Sequence, residues 1–218
     1  MKRSNNRRPG RILFLILTVI LILAVIIGAK IYTQQPAVRE YGFAKELPES
    51  EKQLRLKLVT AAEEWLDCGE SDGTHQPISD LYNSHEPLAQ GYLVQYTDEW
   101  CATFVSASAI KAGLTHIIPT ECGCQRQIGL LEDLGCWEEA DDHIPLPGDI
   151  IYYCRTNTGN IGDCTGWADH VGIVVGTSDR WIKVIEGNYG DKVGYRYIKA
   201  DSTIIRGYGL PNYSLPEA

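Results

Sequence analysis

The sequence predicts an α+β domain, with helices first and an antiparallel sheet after them. Three observations lead there. Apolar residues recur at helical spacing between residues 50 and 134. β-Branched and aromatic residues dominate short runs between 150 and 208. Pro147-Gly148-Asp149 marks a turn where one pattern gives way to the other. The chain has no internal repeat or low-complexity stretch. Its 218 residues, 44% hydrophobic and 22% charged, exclude a disordered, collagen-like or coiled-coil chain.

The chain opens with a basic tail, residues 1–11, and then runs from Ile12 to Ala29 without a charge. Eighteen residues at 1.5 Å each span about 27 Å, close to the hydrocarbon thickness of a bilayer. A helix satisfies its own backbone hydrogen bonds in lipid, so 12–29 is expected to be a transmembrane anchor. Five basic residues precede it, which predicts a cytoplasmic N-terminus and an extracellular body. A cleaved signal peptide is the alternative, although its apolar core would be long and Lys30 follows Gly28-Ala29 directly. Residues 30–49 read as a polar tether and 50–218 as the exported domain. Residues 1–30 hold six of the 20 basic residues and none of the 28 acidic ones. The acidic remainder argues against nucleic acid, whose phosphates need a basic face.

In the exported part, Ser50-Glu51-Lys52-Gln53 fits a capping box. It opens a helix with Leu54, Leu58, Ala61, Ala62 and Trp65 on one side, ended by Gly69. Residues 69–95 read as loop. Further helices are expected over 99–112, stopped by Gly113, and over 125–134, stopped by Gly135. Strands are expected at 150–153, 170–175, 181–186, 193–198 and 203–208, with a turn at 177–180.

The chemistry centres on Cys101. If Asp98 is the N-cap, Cys101 occupies the third helical position, where unpaired N–H groups and the positive helix end favour a thiolate. Asp98 and Glu99 oppose this, so a histidine partner is needed. The competing reading is a small buried hydrophobe. His170 opens the strand Asp169-His170-Val171-Gly172. Pairing Gly176 with Trp181 across the turn sets His170 opposite Gly187, give or take one position. Glu186 and Asn188 flank that point, and either can orient the imidazole. A surface histidine beside a turn is the bland alternative, but it leaves the conjunction of Cys, His and Glu/Asn unexplained.

Four motifs carry a resemblance: Trp100-Cys101-Ala102-Thr103-Phe104-Val105, Pro147-Gly148-Asp149-Ile150-Ile151-Tyr152, Asp169-His170-Val171-Gly172-Ile173-Val174 and Val184-Ile185-Glu186-Gly187-Asn188. Residues 86–212 resemble the CHAP family of cysteine, histidine-dependent amidohydrolases/peptidases, in the papain-like group that includes the NlpC-type peptidases. The resemblance implies a papain-like α+β fold, with Cys101 as nucleophile, His170 as general base and acid, Glu186 as the acidic third member and Asn188 as its companion. It implies peptidoglycan as substrate, cut either between muramic acid and L-alanine or within the stem or cross-bridge peptides. Gln95, six residues before Cys101, has the spacing of the oxyanion-hole glutamine of papain-like proteases, and Tyr96 is an equal candidate there. Trp167 and Tyr189, beside His170 and Asn188 in sequence, are candidates for lining the cleft. A non-catalytic wall-binding or scaffold protein is the alternative function. No cofactor or metal is expected.

Setting Cys101 aside leaves Cys68, Cys122, Cys124, Cys136, Cys154 and Cys164, enough for three disulfides outside the cell, with Cys154–Cys164 the favoured pair. A zinc site from Cys122, Cys124 and Cys136 ranks below this because the spacing is not a paired CxxC. Reduced buried thiols are the third option. Asp141, Asp142, Asp163 and Asp169 form no calcium-loop pattern and read as solvated acids.

Overall fold

Small side chains dominate Cys101-Ala-Thr-Phe-Val-Ser-Ala-Ser-Ala-Ile-Lys-Ala, and this segment becomes the buried helix around which the other helices gather. The computed structural model describes residues 41–140, 142–155 and 166–215. The basic tail, the expected anchor and residues 30–40 of the tether lie outside these. Among the described residues no helix is long and apolar enough to cross a membrane.

Four α-helices precede most of the sheet: α1 (Glu49–Glu63), α2 (Gln76–Asn83), α3 (Cys101–Ala112) and α4 (Cys124–Asp133). Six strands follow: β1 (Trp137–Glu138), β2 (Ile150–Tyr153), β3 (His170–Ser178), β4 (Trp181–Glu186), β5 (Gly194–Lys199) and β6 (Ile205–Gly209). They form one antiparallel sheet in the order β1-β6-β2-β3-β4-β5. The architecture is α+β, as the order of patterns predicts.

Ten of the twelve residues of α3 are buried. Ala and Ser let neighbours approach closely, and both buried serine hydroxyls are satisfied, Ser106 by the Glu121 backbone and Ser108 by the Phe104 carbonyl. Gly113 closes the helix in the left-handed conformation (φ 67°). The sheet shows period two directly. Ile150, Tyr152, Val171, Ile173 and Ile185 face the helices with Leu58, Phe104 and Ile128. Ile151, Tyr153, Val174, Val184 and Ile198 form a second apolar cluster.

Three expectations change. The capping box does not form: Pro48 is the N-cap, its carbonyl accepts from the Lys52 N–H, and the helix starts at Glu49. The stretch 69–95 contains α2, whose two turns are too short for Ile78, Leu81 and Tyr82 to stand out as a periodic face and which depends on packing. The body also starts before residue 50. Gly42 bridges to Thr177 and the Tyr41 ring lies 5.6 Å from that of Tyr197, so residues 41–49 belong to the folded unit Tyr41–Ala218.

Candidate active site

Cys101 is held from behind by its own neighbour. Trp100 is buried, donates its indole N–H to Glu70 (2.9 Å) and lies 5.5 Å from the His75 ring. His75 in turn bridges the carbonyls of Gly69 and Tyr96. Trp100 is also the N-cap of α3, so Cys101 is the first helical residue and not the third. Asp98 does not cap the helix because its carboxylate is taken by the Gln95 N–H and the Tyr92 hydroxyl, both at 2.8 Å. The first bond into the helix runs from Phe104 N–H to the Trp100 carbonyl. The amides of Cys101, Ala102 and Thr103 therefore precede the ladder.

His170 is the first residue of β3 and pairs with Tyr153 at the end of β2. The two rings stack at 5.8 Å. Its Nε2 lies 2.9 Å from Glu186 Oε2, with both side chains almost wholly buried. Cys101 and His170 also act on each other electrostatically, the imidazole lowering the thiol pKa and the sulfur raising that of the imidazole. The register differs from the one expected. Ser178 pairs with Trp181 and Gly176 with Lys183, and a bulge between Val174 and Gly176 shifts the pairing by one, to Ile173 with Ile185. Glu186 nevertheless comes to His170.

Asn188 does not. The chain leaves β4 after Glu186, Asn188 takes φ 54°, and its amide donates to Glu99 (2.6 Å). Beneath the turn, Gly187 presses on Phe104 and Trp100, a contact no Cβ could share. The Gln95 side-chain amide donates to the Leu93 carbonyl. The Tyr96 hydroxyl donates to Asp80. Trp167, 73% exposed, does line the cleft of about 230 Å³ containing Cys101, together with Glu99, Cys124, Arg126 and Asp169. Tyr189 lies under the Arg196 guanidinium at 4.5 Å.

Two members of the site went unread in the sequence. Arg196, on β5, donates to Glu186 Oε1 at 2.6 Å, so the buried carboxylate is shared between an imidazole and a guanidinium. The signal was Arg196 sharing a face with Ile198 on an expected strand, but using it needs the β4–β5 register, in which Arg196 faces Val184, diagonal to Glu186. Cys124, the first residue of α4, puts its sulfur 3.6 Å from that of Cys101.

The electrostatics follow from these contacts. The Cys101 thiol is held well below the usual thiol range, first by the hydrogen bond from Cys124, then by His170 and the Ala102 N–H, all against burial. Cys124 moves the opposite way, pushed well up by Cys101 and by burial. Burial acts to lower the His170 pKa, but the hydrogen bonds with Cys101 and Glu186 outweigh it and raise the value. Burial likewise acts to raise Glu186, and His170 and Arg196 together bring it below the usual carboxylate value.

The remaining cysteines also differ from expectation. Cys68, Cys122, Cys124 and Cys136 are thiols, so three disulfides do not form. Cys68 and Cys136 pack against the core, and the Cys122 and Cys136 sulfurs donate to Glu121 and to the Leu134 carbonyl at 3.5 Å. Cys164 lies outside the described residues. Among those residues no three His, Cys, Asp or Glu side chains are grouped to hold a metal ion. Comparison with known proteins finds no matching family model, no matching curated protein and no matching solved structure.

Proposed function

We propose that this chain is a membrane-anchored cysteine hydrolase of the cell wall, a papain-like CHAP domain that cuts an amide or peptide bond of peptidoglycan outside the cell. The observation that carries the reading is the relay Cys101–His170–Glu186, assembled from a helix start, a strand start and the end of the neighbouring strand.

The chemistry runs from these groups. His170 takes the Cys101 proton, and the thiolate attacks the carbonyl carbon. The oxyanion is received where the Cys101 and Ala102 amides precede the helical ladder. Glu186 keeps the Nε2 proton in place and stabilises the imidazolium. His170 then protonates the leaving amine and activates the water that hydrolyses the thioester. In the cleft, the exposed Trp167 offers a flat apolar surface, Arg126 a cation and Glu99 an acid. A peptide carrying both charges, branched from a sugar, suits those three groups.

Incubating the purified protein with isolated cell wall, beside Cys101→Ala, tests the proposal. Mass analysis of the fragments names the bond. Removing the nucleophile is expected to lower fragment release on the order of 10⁶-fold. Equal release by both proteins overturns the assignment.

A further inference from the structure

The proposed hydrolysis uses one sulfur, yet two meet at the site. The Cys101 and Cys124 sulfurs are 3.6 Å apart, and each residue opens its own helix, so two helix N-termini converge on the pair. Two small apolar thiols meeting in a core would need no such arrangement. The loop ahead of α4 is fastened on both sides. The Ser106 hydroxyl donates to the Glu121 carbonyl (2.7 Å) and accepts from its N–H (2.9 Å), and the buried Glu121 carboxylate takes the N–H groups of Cys122 and Gly123. One turn on, Gln127 bonds the Pro119 carbonyl and accepts from the Tyr152 hydroxyl. Cys124 is thus held against the nucleophile by a clamp on α3 and on β2. Both cysteines line the same cleft.

We propose that Cys101 and Cys124 form a two-thiol oxidation site, at which a hydroperoxide converts the nucleophile reversibly into an intramolecular disulfide. The Cys101 thiolate attacks the peroxide oxygen, and the O–O bond breaks. Cys101 becomes a sulfenic acid and hydroxide (or alkoxide) leaves. The Cys124 sulfur then attacks the sulfenic sulfur. Its proton and the sulfenic hydroxyl leave as water, and an S–S bond forms. Two electrons pass from the two thiols to the peroxide. Closing to a disulfide length of about 2.0 Å asks for about 1.6 Å of sulfur movement, within reach of side-chain rotation. The roles are not interchangeable: Cys101 has the imidazole that removes its proton, so it attacks and Cys124 resolves. A bridged Cys101 has no free thiolate, so the hydrolase is off until a dithiol reductant reopens it.

The proposal rests on Cys101 being the reactive thiol, not on which bond the enzyme cuts. Its test therefore reads sulfur chemistry and not wall hydrolysis. The full chain, reduced and purified, is treated with stoichiometric hydrogen peroxide, then digested and mapped by mass spectrometry, with iodoacetamide labelling before and after dithiothreitol. The expected result is loss of two hydrogens, a Cys101–Cys124 crosslink located by fragment sequencing, loss of Cys101 labelling, and its full return with dithiothreitol. In Cys124→Ser, treated with at least two equivalents of peroxide (one for the sulfenic step and one for the sulfinic step), Cys101 should pass on to the sulfinic acid, and its labelling should not return. A crosslink to another cysteine, labelling that returns fully in Cys124→Ser, or a Cys101 that peroxide leaves untouched overturns the proposal. If Cys101 cycles as expected while the wall stays intact, the oxidation site stands and the hydrolase reading falls.

Discussion

Glu186 is a buried carboxylate with a cation on each oxygen, and each partner leaves a distinct trace when removed. Glu186→Gln keeps the shape but lets the imidazole take the wrong tautomer, with an expected loss approaching 10⁴-fold in kcat. Arg196→Gln leaves the His170 contact in place, so kcat should fall less, roughly tenfold. Removing a cation raises the pKa of its neighbours. Arg196→Gln should therefore move the alkaline limb of kcat/KM, where the imidazolium is lost, to higher pH. The thiol gives a second reading. Below its depressed pKa Cys101 is protonated and inert; above it the thiolate reacts. Iodoacetamide labelling against pH should thus reach its plateau well below the ordinary thiol value of 9.0. His170→Ala should move that midpoint upward, because the imidazole is one of the groups lowering it. An unchanged midpoint would show that His170 does not share its proton. Cys101, His170 and Glu186 were legible from sequence because each stands at the start or end of an element with a clear pattern. Asn188 was misread because period two was extended past the point where the strand stops. Cys124 and Arg196 were not legible as site members, since each reaches the site through packing between elements rather than through spacing along the chain.

At the scale of elements, β3 and β4 touch most closely where the chemistry is. A Cβ on Gly172 would lie 2.6 Å from Val184 Cγ1 and 2.7 Å from Glu186 Cγ. Gly172→Ala must push β4 outward, with an expected cost of about 1–3 kcal/mol, and it should lower kcat by displacing Glu186. Thermal unfolding and kinetics on the same protein check both. Helix and strand types were readable along most of the described chain, because α1, α3, α4 and β2 to β6 each have a periodic face or a glycine stop. Registers and caps were not. The bulge between Val174 and Gly176 and the Pro48 N-cap depend on which hydrogen bonds compete locally, and composition does not reveal that.

For the molecule as a whole, a buried ion pair ties α1 to the turn that opens β2. Arg55 donates to Asp149 at 2.7 Å and to the Pro147 carbonyl, with the Tyr213 ring 4.5 Å from its guanidinium. Both charges are buried. Arg55→Ala would take the guanidinium from the buried Asp149 carboxylate and leave it the Leu146 N–H, at an expected cost of about 3 kcal/mol. In a domain this size that lowers the melting temperature by roughly 6–12 °C, which calorimetry can read. Arg196 has a wider consequence of its own. It sits on β5, the outermost strand, and supports a carboxylate that lies one strand further in. The relay is therefore anchored at the rim of the sheet. Anything that peels that rim, whether heat, a docking chain or a swapped segment, would part Arg196 from Glu186 before the core opens, so loss of the proposed activity should precede loss of structure.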